Sequence, residues 1–291
     1  MTVAVVGAGR LGTALARVLS EEGYGVEALV ARTRASARRA AEAAGLKTLT
    51  LGVERLHELP AVGLLLITTP DDAVAATAAR LAELSQASQV RGRVVLHTSG
   101  ALSSRVLAPL GARGYGVGSM HPLAAVSGPD GAGSLRRAFY CVEGDARAVR
   151  LARRVVRDLG GRSFSVRAGD KALYHAAAVL AAGHTVALFD AAARLLAACG
   201  LPERRARAVL LPLLASTHAN LTRRTPARAL TGTFARADVE TVRKHLDALR
   251  RTDVEGALEA YALLGRLSLG LAAESGANPA ALEEIERLLD P

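Results

Sequence analysis

Short apolar runs alternate with amphipathic stretches through the first half of the chain. Runs rich in Val, Leu and Ile occupy residues 2–6, 26–30, 48–51, 63–68, 93–98, 115–119, 138–143 and 163–166. Their length and branched apolar content are those of buried strands. Segments 10–22, 33–44 and 71–84 instead place apolar residues every three or four positions, as a helix with one buried face does. This alternation predicts an α/β fold with a doubly wound parallel sheet. The Gly- and Ser-rich stretch 127–134 reads as a surface loop late in that domain.

From Asp170 onward the strand pattern stops. Helices are expected over 170–198, 203–220, 226–231, 238–250, 253–274 and 279–289. Asp170, Asp238 and Asn278-Pro279 read as helix starts and Gly276 as a stop. Pro212 is expected to kink the second of these helices. Residues 176–189 are apolar nearly all round, which places the first helix at the centre of a second domain or in a dimer interface. The predicted organisation is a sheet domain over 1–166 and an all-helical domain over 167–291 that binds substrate or dimerises.

Composition narrows the partners. The chain has 291 residues, with 37 Lys+Arg against 27 Asp+Glu, a formal charge of +10. Only 3% of residues are aromatic and there is no Trp, so the stacking platforms of single-strand nucleic-acid binding are missing. The excess is nearly all Arg, spread along the chain; the only lysines are Lys47, Lys171 and Lys244. The resulting positive field favours anionic ligands. Cys141 and Cys199 form neither a disulfide framework nor a metal-ligand spacing, and His175 and His184 point to opposite sides of their helix, so no metal site is expected. The chain opens directly on a strand with no leader, and its longest apolar run, 176–189, is too short for a bilayer and contains His184. A soluble, cytoplasmic protein is expected, with neither nucleic acid nor membrane as partner.

The clearest motif is Gly7-Ala8-Gly9-Arg10-Leu11-Gly12. It follows a strand and opens a helix, the setting of a dinucleotide-binding turn in a Rossmann-type sheet. The first glycine permits the turn, the second admits a pyrophosphate, the third lets helix and strand pack, and the helix amides face the phosphate. The plainer alternative is a tight structural turn. At the tip of the second strand, Val30-Ala31-Arg32-Thr33-Arg34-Ala35-Ser36 carries no carboxylate for ribose hydroxyls. Arg32 and Arg34, with Thr33 and Ser36, suit a 2′-phosphate, so NADP (NADPH) is expected over NAD; alternatively the arginines only solvate the following helix.

Two more strand ends should line the cleft: Thr68-Thr69-Pro70-Asp71-Asp72 and His97-Thr98-Ser99-Gly100-Ala101. Thr69, Pro70 and Ser99 are expected beside the cofactor, although TTPDD is also a good helix start. Lys171 and His175, four apart, share a helix face with Ala178 and Ala182 beyond them. A Lys desolvated at a cleft can act as a general acid; its plainer reading is an exposed first-turn Lys. His121, in Met120-His121-Pro122-Leu123, is set by the following proline in an extended turn and is a further candidate.

These motifs, with KALYHAAAV at 171–179 and LTGTFARAD at 230–238, make the chain similar to Rossmann-like proteins carrying a C-terminal domain of unknown function 2520. Its first half resembles the NADP-binding domains of the 6-phosphogluconate and β-hydroxyacid dehydrogenase superfamily and of pyrroline-5-carboxylate reductase. The resemblance implies a dinucleotide-binding domain followed by a helical, often dimeric one. In the β-hydroxyacid dehydrogenases a helix here carries Lys, matched by Lys171, then Asn four residues on, where this chain has His175. The family's TGPxxRGD reads Thr231-Gly232-Thr233-Phe234-Ala235-Arg236-Ala237-Asp238 here; Arg236 is a candidate substrate-carboxylate clamp and Asp238 a helix cap. MHPL also resembles prephenate dehydrogenases. The expectation is an NADP-dependent oxidoreductase moving a hydride to or from a small, anionic carbonyl, hydroxy or imine substrate. In it Lys171 exchanges the proton, His175, Ser99 or His121 orients the substrate, and the protein is a homodimer. The alternatives are an NADP-binding regulatory or scaffold protein without turnover, and a prephenate-dehydrogenase-like enzyme.

Overall fold

The computed structural model describes residues 1–85 and 92–290. They form two compact units, Met1–Leu180 and Ala181–Pro291.

The first unit is built on one eight-stranded sheet. Its strands are β1 (Thr2–Val6), β2 (Gly25–Ala31), β3 (Leu49–Gly52), β4 (Leu64–Ile67), β5 (Val94–His97), β6 (Gly116–Leu123), β7 (Phe139–Gly144) and β8 (Arg162–Phe164). Each of the eight short apolar runs of the first half overlaps one of these strands. The spatial order is β3-β2-β1-β4-β5-β6-β7-β8. All neighbours are parallel except β6 and β7, which run antiparallel with His121 opposite Cys141 and Ser119 opposite Glu143. The chain reverses its direction of winding between β1 and β4, where the sheet leaves a crevice beyond the strand ends.

Helices α1 (Arg10–Glu21), α2 (Arg34–Ala44), α3 (Asp71–Leu84), α4 (Ala108–Ala112) and α5 (Ala146–Asp158) cover the two faces. One core packs α1, α2 and α5 on Val3, Val5, Leu29, Leu64 and Leu96. The other packs α3 and α4 on Ala4, Val6, Val30, Leu65 and Ile67. The central strands β1, β4 and β5 thus bury alternate residues on opposite faces, which is why their runs are continuously apolar. The stretch 127–134 is not a free loop. Residues Pro129–Leu135 form 3-10 turns, and Ala132 and Leu135 are buried in the first core. Helix α5, which the sequence reading passes over, starts at a capping Asp145 that accepts from the amides of Arg147 and Ala148.

The expected helix 170–198 is two helices, α6 (Lys171–Ala181) and α7 (Gly183–Ala198), parted at Ala182, whose φ of −118° and ψ of −66° leave helical geometry. The first unit extends through α6 to Leu180 instead of stopping at 166, because α6 is anchored on strand ends of the sheet. An 18-residue window within Ala168–Ala198 has a mean hydropathy of 1.5, enough by length and composition to cross a membrane. That stretch extends past the 176–189 run at both ends and is shared by the two helices parted at Ala182.

The second unit continues with α8 (Glu203–Leu221), α9 (Pro226–Ala229), α10 (Val239–Leu249), α11 (Ala257–Glu274) and α12 (Pro279–Leu289). Helix α8 runs through Pro212. Its small core joins Val242 and Leu246 of α10, Leu269 of α11, and Ile285 and Leu289 of α12. The apolar helix α7 is not at that centre: Ala193 is its only buried residue. Val186 is 70% exposed, and Leu211 and Leu213 on α8 are 55% and 62% exposed.

Candidate functional site

The first unit holds two constellations at the carboxyl ends of its strands. At Gly7 the backbone takes φ +110°, and a Cβ there would lie 2.5 Å from the Thr69 amide nitrogen. A Cβ on Gly12 would lie 2.4 Å from the Gly7 carbonyl oxygen. Both positions therefore exclude any side chain, whereas Gly9 has nothing nearer than 3.9 Å and leaves its backbone open to a ligand. The turn is held by the Gly7 and Ala8 amides, each donating to the Val30 carbonyl at 2.9 Å. Thr68 Oγ1 also donates to the Gly7 carbonyl at 2.7 Å. Helix geometry leaves the amides of Arg10, Leu11 and Gly12 without an intrahelical acceptor. No side chain caps them and no acidic residue sits in the first turn, so the positive end of α1 stays free for an anion.

Beside this turn lies a cleft of about 740 Å³, lined by Gly7, Ala8, Gly9, Arg32, Thr69 and Pro70 among others. Of the remaining sequence candidates, Arg10, Leu11 and Gly12 open α1. Thr33 caps α2, its Oγ1 accepting the Ser36 amide at 3.2 Å, and Arg34 is the first residue of that helix. The far wall was missed: Ala73, Ala76, Thr77 and Arg80 of α3 face the cleft. Their spacing of i, i+3, i+4 and i+7 is one helix face, a signal that 71–84 already carried. Thr69 Oγ1 is buried without a hydrogen-bond partner at the cleft wall. An uncapped helix start, two glycines that admit no Cβ, an unsatisfied wall hydroxyl and a basic mouth all fit a dinucleotide phosphate.

The second constellation gathers at β5, β6, β7 and α6. Strand β6 outruns β5: its pairing with β5 ends at Ser119, and Met120 to Leu123 pair only with β7. Residues alternate faces on a strand, so Met120 enters the apolar core while Ser119 and His121 face the opposite side. Helix α6 lies over that side. Lys171 is 1% exposed and its Nζ donates to the Ser99 carbonyl and to Ser119 Oγ, both at 3.2 Å. Burial lowers its pKa. Tyr174 Oη lies 2.7 Å from His121 Nδ1, and the His175 ring meets that of His121 edge-on at 5.5 Å. Both histidines press on Gly100, where a Cβ would come within 2.3 Å of His175 and 2.9 Å of His121. Sequence reasoning singled out Lys171, His175, His121 and Ser99, named Gly100 at the same strand end, and missed Tyr174 and Ser119.

Ser99 is fully engaged. Its Oγ donates to Asp71 at 2.8 Å and accepts from the amides of Ala101 and Leu102. The same loop is fixed by the Ser99 amide donating to His97 Nδ1 at 3.2 Å and by Glu143, which accepts from the amide and hydroxyl of Ser104. His97 Nε2 is buried without a partner. Burial first, and the Lys171 charge second, push the pKa of His97 down to about 4. The same two causes, with His175 and His97 behind them, push His121 down to about 4. Both imidazoles are therefore neutral at pH 7. In the second unit Arg236 is exposed. Asp238 caps α10 through the Thr241 amide and hydroxyl. Ala237, where the family pattern has Gly, takes a left-handed φ of 50°.

Two family models match this chain: a Rossmann-like domain over residues 1–122 and a domain of unknown function, DUF2520, over residues 138–267. No curated protein matches it in sequence. Among solved structures the fold is similar to BF3122 of Bacteroides fragilis, whose proposed activity is that of an NADP oxidoreductase. The identity is 23% over 92% of this chain and 98% of that one, with a TM-score of 0.74. The protein TM1727 of Thermotoga maritima is 21% identical over 94% and 99% of the two chains, with a TM-score of 0.70. An imine reductase of Streptomyces aurantiacus is 21% identical over 100% of both chains, with a TM-score of 0.63.

Proposed function

We propose that this chain, a Rossmann-like domain joined to a DUF2520 domain, is an NADP-dependent oxidoreductase acting on a small anionic carbonyl, hydroxy or imine compound. The observation that carries this reading is a ligand-ready glycine turn and a buried, partly desolvated lysine in the same unit, both at the strand ends of one sheet. Gly7, Ala8, Gly9 and the amides of Arg10, Leu11 and Gly12 would hold the pyrophosphate. Arg32 and Arg34, with Thr33 and Ser36 beside them, would hold a 2′-phosphate, and Thr69, Pro70 and Ser99 would border the cofactor. When bound, the nicotinamide supplies or takes the hydride. Lys171 Nζ gives the proton to the developing alkoxide or amine, a transfer eased by the burial that disfavours its ammonium form. His175 and His121 orient the substrate. The fold likeness to an NADP oxidoreductase and an imine reductase supports the same class of chemistry.

A homodimer is part of this proposal. Apolar side chains of α7 and α8 left in solvent, Val186, Leu211 and Leu213 among them, are more than a single chain covers, and a second copy would bury them.

A nucleotide-binding role without turnover is the second reading. It is favoured by the depth of Lys171 and its two hydrogen bonds, which also describe a structural staple. The test is a titration with NADPH and NADH followed by a screen of NADPH oxidation against small keto acids and cyclic imines. Tighter NADPH binding with turnover of one substrate class is expected. Binding without turnover across the screen selects the second reading, and failure to bind either nucleotide overturns both.

A further inference from the structure

Three groups from three elements meet at His121. The antiparallel pairing of β6 and β7 sets Cys141 directly across from it, so both side chains leave the sheet on the same face. Tyr174 reaches His121 from α6, its Oη 2.7 Å from His121 Nδ1. A phenol is a better donor than a neutral imidazole and an imidazole nitrogen the better acceptor, so the Tyr174 hydroxyl is the donor of this pair. Tyr174 is further fixed by the Phe164 ring at 5.7 Å and by the Lys171 ammonium 5.5 Å over its own ring.

We infer that Tyr174 is a positioning residue that locks His121 in the tautomer with its proton on Nε2. The Tyr174 hydroxyl donates to His121 Nδ1, and Nδ1 must then be unprotonated. A neutral imidazole has one proton, so it resides on Nε2. Nε2 takes no hydrogen bond among the described residues, and it lies on the Gly100 side of the ring, where a Cβ would come within 2.9 Å. Gly100 keeps that edge clear. The group presented beside Gly100 is therefore a donor and not an acceptor. This inference rests on the oxidoreductase reading for its use: a substrate there is met at an acceptor atom, a carbonyl or carboxylate oxygen or an imine nitrogen. The ionisable groups around the ring are Lys171, Tyr174 and His175 on α6, His97 on β5 and Cys141 on β7. Glu143, two residues along β7 opposite Ser119, is engaged by the Ser104 amide and hydroxyl.

The experiment is long-range 1H–15N correlation NMR of histidine rings in the full-length 15N-labelled protein without any nucleotide, from pH 5 to 8. His121 is assigned by the peak lost in His121→Gln. In the unaltered protein His121 is expected to show one protonated nitrogen, Nε2, throughout that range. In Tyr174→Phe the Nδ1 and Nε2 shifts should move toward each other as the tautomers mix, and the midpoint of titration should rise. A protonated Nδ1 in the unaltered protein overturns the inference, even if the variant does not fold. Unchanged ring shifts in a folded Tyr174→Phe protein overturn it too. The oxidoreductase reading fails separately, through absent NADPH binding or turnover, and leaves this NMR result untouched.

Discussion

Protonating His97 should unfold this protein. Its ring is fully buried, Nδ1 already accepts the Ser99 amide, and its pKa is held near 4. In the unfolded chain the same imidazole titrates near the ordinary value of about 6.5. Between these values the unfolded state binds the extra proton, so stability falls as pH drops from about 6.5 to about 4 and is level above that window. The gap is worth about 3 kcal/mol at its acid end, a large share of a typical domain's stability. His97→Asn removes the titrating group and keeps an acceptor for the Ser99 amide at the Nδ1 position. The variant should be less stable at pH 7, where it leaves part of the ring's space empty. Urea unfolding of both proteins at pH 7, 6, 5 and 4 should show their difference shifting by about 3 kcal/mol in the variant's favour. Two curves that stay parallel from pH 7 to pH 4 would refute the reasoning, because His97 would then carry the same charge folded and unfolded.

Lys171→Met should lower kcat by roughly 10²–10⁴-fold and leave the NADPH Kd, measured by titration, within about twofold if the lysine acts only in the transition state. Arg32→Ala combined with Arg34→Ala should erase a preference for NADPH over NADH of about tenfold, or about 1.4 kcal/mol, in the same titration. Gly12→Ala, whose Cβ would collide with the Gly7 carbonyl oxygen, should cost about 1–3 kcal/mol in denaturation and abolish nucleotide binding. Sedimentation at micromolar concentration should give twice the chain mass, and replacing Leu211 and Leu213 with Ser should shift it toward the single chain.

The central strands β1, β4 and β5 were legible because they bury both faces and read as unbroken apolar runs, a pattern independent of what they pair with. The direction of β7 was not legible, since the same residues suit either orientation, and that direction is what brings Cys141 against His121. The break at Ala182 was hidden because alanine favours helix, although Gly183 immediately after it was a visible weak point. For α7 and α8 the apolar pattern registers how much surface needs cover and carries no information on what supplies it. At the candidate site, glycines and lysine stand out by type. Tyr174 and Ser119 do not, because an isolated Tyr or Ser acquires meaning only from a neighbour more than fifty residues away in sequence.

A chain that uses arginine almost everywhere carries its own reporter. Amine-directed acylation passes over guanidinium groups, so Lys47, Lys171, Lys244 and the N-terminal amine are the only targets. Lys47 and Lys244 are exposed and Lys171 is sealed against the sheet. In the folded protein the reagent should therefore mark two lysines and skip the third. Modification of Lys171, read by peptide mass, becomes a clock for how often α6 lifts from the strand ends, with the two exposed lysines as internal standards in every sample.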